Sequence, residues 1–280
     1  MIRKVYDKPR GVLPRATGLP DMELKLGKLP AKNDTRTIRM SRYLLVDPPE
    51  SFDVDASLSI PIYDNNMYLN DTYGDCVIAG RAHMTLRFEG YEQYGLINII
   101  DQEVKTEYFK ETGGKDSGLV MLSSLNAWRN GWVAAANIYN IDMYGLLTST
   151  TNLKQAVYLL RGAYIGIMVY ETDMEQFKAG QPWEITSNSG DLLGGHCIYI
   201  VAYNATGPIC VTWGKRQQMS WRFYQARCDE AFGIVDDRYK FSPSDLDVAG
   251  MEAELKQITK IIKKKCWFFD LLHERRVAKA

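Results

Sequence analysis

Cys76 ends the run Asn70-Asp71-Thr72-Tyr73-Gly74-Asp75-Cys76 and heads a helix-like stretch, Val77 to Tyr94. The reactive form of cysteine is the thiolate. The N-terminus of a helix carries partial positive charge and unpaired N–H groups, so it favours that anion. Asp75 is a candidate N-cap, and Gly74 allows a tight turn ahead of it. A thiol needs a base, and the chain has three histidines. His83 lies seven positions along the same helix, roughly 10 Å up its axis, which is too far to bond the sulfur. His273 sits in a basic tail. His196 remains: it follows Gly194-Gly195 and enters the apolar run Ile198-Tyr199-Ile200-Val201, so it reads as a residue at the start of a strand. Acyl transfer also needs donors for the oxyanion. The Cys76 N–H supplies one, and the Asn70 side-chain amide is a candidate for the other. Each of these residues has a plainer reading: a buried cysteine on a core helix, a satisfied histidine at a sheet edge, an Asn-Asp turn.

The elements that must hold this pair come in two textures. Helical periodicity marks Val77–Tyr94, Asp101–Glu111 (ended by Gly113-Gly114), the Leu119, Leu122, Leu125, Trp128 run (closed by Gly131) and Leu153–Arg161. The run Tyr164–Tyr170 is strand-like. After Gly195 the texture is mostly strands: Cys197–Tyr203, Ile209–Trp213 and Phe232–Val235. Trp221–Arg227 is ambiguous and fits a short helix. Pro243 suits the start of a helix over Ser244–Ile262. Helices first and strands later is an α+β order.

At 280 residues, 46% hydrophobic and 24% charged, the composition is that of an ordinary globular protein. No apolar run approaches the ~20 residues of a membrane helix, and the first residues lack a signal-peptide core. The expected location is therefore the cytoplasm of a host cell, or a virion. Five widely spaced cysteines, with no Cys-x-x-Cys, argue against a disulfide framework and a zinc site. No cofactor is expected. Net charge is zero but unevenly placed: residues 1–43 carry +7 and residues 256–280 carry +6, leaving the middle at about −13. Basic tails on an acidic body suit solvated ends, an acidic partner or nucleic acid. Residues 1–50 recur in proline and glycine with no surviving helical period, so they read as an extended arm that wraps its own body or a partner. The division is an arm over 1–50, a domain over 51–262 and a tail over 263–280.

Taken together, these motifs resemble papain-like cysteine peptidases. Asn70 to Cys76 resembles the motif in which a Gln stands six residues before the nucleophile. Gly113 to Gly118, followed by Leu119 to Gly131, looks like a glycine shelf and the helix beside the substrate cleft. Gly195-His196 is similar to the histidine strand, and Val211-Thr212-Trp213-Gly214 to the Asn-Ser-Trp-Gly signature. More closely, the phrases Asn-Asp-x-x-Gly-Asp-Cys, Leu-Asn-x-Trp-Arg (125–129), Gly-Gly-His, Val-Thr-Trp-Gly and Cys-Asp-Glu-Ala (228–231) resemble an uncharacterised papain-like group of actinobacteria and their phages.

The resemblance implies an α+β papain-like fold, with a helical half carrying the cysteine packed on an antiparallel sheet half carrying the histidine. It implies a Cys76–His196 pair acting on a peptide or protein, with Asn70 at the oxyanion and Gly118, Gly195 and Trp213 lining the cleft. The alternative is a virion structural or assembly protein that keeps this body without using the site, with the arm joining a partner or a second copy. The chain departs from the pattern in one place above all. Val211 stands where an Asn should orient the histidine, so Thr212 (by a register shift) or Asp191 or Asn204 (from a loop) would have to replace it. Asn70 is one methylene shorter than Gln, and Asp75 places negative charge beside a group that must ionise.

Overall fold

The computed structural model describes residues 24–58, 62, 65–92 and 96–261. His273 and the basic aromatic tail lie outside them. From residue 24 the chain runs extended over the body, with one 3-10 turn at Met40–Arg42. This stretch is not a free arm: Ile38, Met40, Tyr43 and Leu44 are buried in the main core. A short strand β1 (Phe52–Asp53) and one turn of helix α1 (Val54–Ser57) lead towards the cysteine loop.

Helix α2 (Cys76–Glu92) is the axis of the helical half. It is buried on every side rather than along one stripe, so its charged residues must be paired inside. Arg81, fully buried, meets Glu107 at 3.3 Å, Glu111 at 2.5 Å and the Ser124 carbonyl at 2.9 Å. Arg87 meets Asp55 at 3.0 Å. These acids come from α1 and from α3 (Asp101–Glu111), and Ser124 comes from α4 (Met121–Arg129), so the pairs also fix how the helices cross. Glu103 closes the head of α3 by accepting from the Ile100 N–H, as the capping geometry requires. A hairpin of β2 (Trp132–Ala134) and β3 (Asn137–Tyr139) follows.

The rest is sheet, with helices on its faces. In chain order come β4 (Ile141–Leu146), α5 (Thr150–Leu159), β5 (Ala163–Tyr170), α6 (Glu171–Lys178), β6 (Leu192–Tyr203), β7 (Pro208–Thr212), β8 (Lys215–Gln218), α7 (Trp221–Arg227) and β9 (Cys228–Asp236). The sheet order is β4-β9-β5-β6-β7-β8, antiparallel throughout, with β1 added to the far end of β6. Ser149 and Ser220 cap α5 and α7 through their hydroxyls. The ambiguous Trp221–Arg227 stretch is therefore a helix. The α+β class and the division into a cysteine-bearing helical half and a histidine-bearing antiparallel half are as the sequence implies.

One boundary differs. The last helix begins at 248, not at Ser244. Residues 245–247 first pair with the chain near Tyr43 and Leu44: Leu45 donates to the Asp245 carbonyl and Asp247 to the Tyr43 carbonyl. A tertiary contact takes up backbone that local preference would have given to the helix. Among the described residues no helix is long and apolar enough to cross a membrane.

Candidate active site

Cys76 opens α2, and the Asp75 carbonyl accepts the first two helical bonds, from Ile78 and Ala79. Asp75 caps by its backbone alone; its carboxyl oxygens accept nothing from the first-turn amides. That carboxyl is completely buried, and burial pushes it up to about 8, with the Asn70 side chain drawing it part of the way back. Strand β6 brings His196 and Cys197 to the same place, and the Cys197 N–H points at the Cys76 sulfur at 3.4 Å. The thiol therefore sits against the His196–Cys197 peptide, joining two segments 120 residues apart in sequence.

His196 stacks on the Trp213 ring, with centroids 3.9 Å apart at 11°. Its Nε2 lies 2.6 Å from the Thr212 hydroxyl, and its Nδ1 is buried with no hydrogen-bond partner. Thr212, not Val211, is therefore the β7 residue in contact with the ring. Val211 faces the other way and is packed in the core, as alternation along β7 demands. Neither loop candidate is engaged at the ring. The Asn204 side chain is held by Gln218, Thr206 and Gly207, and Asp191 is exposed beside Glu171. His83 packs against Tyr68 further along α2.

Asn70 is buried, and its amide nitrogen donates to the Tyr73 carbonyl at 3.0 Å, within its own loop. As it stands, that donor serves the loop before α2 rather than an incoming oxygen.

The cleft between the two halves is filled, and by this chain itself. Residues 25–29 run through it as an extended strand. Lys25 donates to the Asn70 carbonyl at 3.0 Å, and its own carbonyl accepts from the Trp213 indole at 3.3 Å. The Gly27 carbonyl accepts from Leu119 at 2.8 Å, Lys28 donates to Gly195 at 3.1 Å and Leu29 donates to Leu119 at 2.9 Å. The strand passes so close to the cysteine loop that a Cβ on Gly27 would overlap the Gly74 carbonyl. Gly118 and Gly195 likewise abut the Gly27 and Lys28 carbonyls, so both glycines expected to line a cleft do border the strand that fills it.

Two consequences follow for the pair. Burial pushes the Cys76 thiol up to about 11, although the Cys197 and Gly27 N–H groups oppose it. Burial pulls His196 down to about 3. With the strand seated, both groups are neutral at pH 7.

Lys28, Asp229 and Glu230 are functional candidates that sequence reasoning did not single out. The Lys28 side chain is fully buried, 2.7 Å from Asp229 and 3.2 Å from Glu230. Lys28 had no local signal. The two acids stand in the Cys228-Asp229-Glu230-Ala231 phrase, which marked the segment without revealing its role. Among the described residues no group of His, Cys, Asp or Glu could hold a metal ion.

The fold has counterparts among solved structures. Xylellain, a cysteine protease from Xylella fastidiosa, superposes with a TM-score of 0.60 at 14% identity, covering 79% of this chain and 100% of its own. ProCathepsin B S9 from Trypanosoma congolense does so at 0.55 and 13%, covering 76% and 87%. The fold is papain-like. The cysteine protease and lectin-like domains of Cwp84, from Clostridium difficile, agree at 0.53 and 11%, covering 80% of this chain and 60% of that one. At these identities the likeness concerns the backbone. No family model and no curated protein matches the chain.

Proposed function

We propose that this protein is a papain-type cysteine hydrolase of peptide or amide bonds, held closed in this form by its own residues 25–29. The observation that carries the reading is the free Nδ1 of His196. With Nε2–H donating to Thr212, that nitrogen is the basic one, on a ring whose backbone lies against the Cys76 sulfur. The cleft also binds an extended strand through backbone groups on both walls, which is the chemistry a peptide substrate needs.

In the open form His196 Nδ1 takes the Cys76 proton and the thiolate attacks a carbonyl carbon. The N-terminal amides of α2 face the oxyanion. The leaving amine takes the proton from His196, and water then hydrolyses the thioester. The bound strand is no substrate. It presents the Gly27 N–H, not a carbonyl carbon, to the sulfur, and the Gly27 carbonyl is tied to Leu119.

Gly27→Ala in the full chain tests this, because the added methyl cannot pass Gly74. Cys76 should then react with iodoacetamide near pH 6 faster than free cysteine does, and a further His196→Ala should slow it. A rate no higher than that of free cysteine sinks the hydrolase reading.

The burial of both Cys76 and His196 under the strand also suits a second reading, an assembly or virion protein whose cleft is permanently plugged. On that reading Gly27→Ala leaves the thiol inert and alters oligomeric state in sedimentation.

A further inference from the structure

The Lys28 side chain enters the body beside β5 at Gly166, where a Cβ would overlap its stem, and ends against Asp229 and Glu230 of β9. The Glu230 side chain is 5% exposed and that of Asp229 27%, so the first has little access to water. Burying a carboxylate is costly unless a cation meets it. When the strand leaves, this pocket loses its cation and keeps its acids. We infer that the pocket is a substrate subsite selective for a lysine or arginine side chain, at the residue next to the one lying over Cys76.

The inference rests on the hydrolase reading only for the word substrate. The pocket itself is built from Gly166, Asp229 and Glu230, and Lys28 shows what fills it. A cleavable chain must turn its carbonyl carbon to the sulfur, unlike residues 25–29. The side-chain pocket is the same whichever way the strand runs. A neutral side chain would bury Glu230 unpaired. A basic one restores the ion pairs, and the absence of a Cβ at Gly166 leaves room for its stem.

Occupancy can be measured without turnover. In the full chain carrying Gly27→Ala and Lys28→Ala, the strand lacks both of its fits and Cys76 should be open. The peptides acetyl-Leu-Gly-Lys-Leu-amide and acetyl-Leu-Gly-norleucine-Leu-amide then compete with iodoacetamide for the cleft. The lysine peptide should half-protect Cys76 at a concentration at least tenfold lower, and Asp229→Asn with Glu230→Gln should erase the difference. Equal protection by both peptides overturns the inference, as does a thiol that stays covered in the double variant. Alkylation of Cys210, buried in β7, reports global unfolding. Should the variant unfold, Lys28→Met against Lys28→Arg in the otherwise native chain answers the same question: Met should speed Cys76 alkylation at least tenfold and Arg should not, and equal rates overturn the inference. Lysine-selective protection with no amide cleaved defeats the hydrolase reading and leaves the pocket. Cleavage without lysine preference does the reverse.

Discussion

The hydroxyl of Thr212 lies 2.6 Å from His196 Nε2, on the ring edge away from the free Nδ1. The residue one step beyond the expected position is therefore the one that meets the ring, because successive side chains on β7 point to opposite faces and Val211 is packed in the core.

Thr212→Val is the near-isosteric test of this contact. A hydrogen bond of this kind contributes about 1 kcal/mol to stability, so the fold should survive. In the Gly27→Ala background, the fast alkylation of Cys76 should fall by roughly tenfold or more, since the base loses the group that fixes its tautomer and tilt. Thr212→Ser should retain most of the rate. Identical rates for Val and Ser would remove Thr212 from the site.

Reactivity of the closed form should follow the buried thiol. With Cys76 pushed up to about 11, iodoacetamide labelling of the native chain should be slow at pH 7 and rise steadily through pH 10. Opening by Gly27→Ala should move that rise to lower pH. A native chain labelled rapidly at pH 7 would mean that the strand does not protect the sulfur.

His196 should destabilise the closed fold in acid. The unfolded chain takes up its proton near 6.5, the native site only near 3. The unfolded state thus binds more protons between those values, and stability falls as pH drops through that window, by on the order of a few kcal/mol. His83, also held low by burial, adds to the same limb. Urea midpoints at pH 7 and pH 4 should differ less in His196→Gln than in the native chain.

Asp75 acts at the other end. Its acid is raised from 3.8 to about 8, so the native state holds the proton longer than the unfolded chain does. That stability is full below about pH 4 and is lost as pH rises to about 8. Asp75→Asn should match the native chain near pH 4 and exceed it at pH 8 by on the order of a few kcal/mol in urea unfolding. Equal midpoints at pH 8 would show that the carboxyl is not buried as a charge there.

Arg81→Ala leaves Glu107 and Glu111 without their buried cation. Removing one partner of such a network costs about 3–5 kcal/mol, read as a lower urea midpoint with an unchanged slope.

Much of the frame was legible because it is local. The periodicity of Val77–Tyr94, Asp101–Glu111 and Tyr164–Tyr170 is a property of neighbouring residues, and each became the element expected, the first as α2, Cys76–Glu92. Elements with weak local patterns were not separable: the β2–β3 hairpin is only three residues a side, and α6 reads as a polar stretch between two strands.

The sequence by itself singled out Cys76 at a helix start and His196 at a strand start because both signals are local, and the fold sets the His196–Cys197 peptide against the Cys76 sulfur. Tertiary structure alone decided three things: that Thr212 rather than a loop residue holds the ring, that Asn70 serves its own loop, and that Lys25 to Leu29 fill the cleft with Lys28 on Asp229 and Glu230. The filling of the cleft depends on contacts between segments about 45 to 200 residues apart, and the Thr212 contact on how β6 and β7 pair. Residue type and spacing carry no information about which distant strand edge will accept a stretch of extended chain.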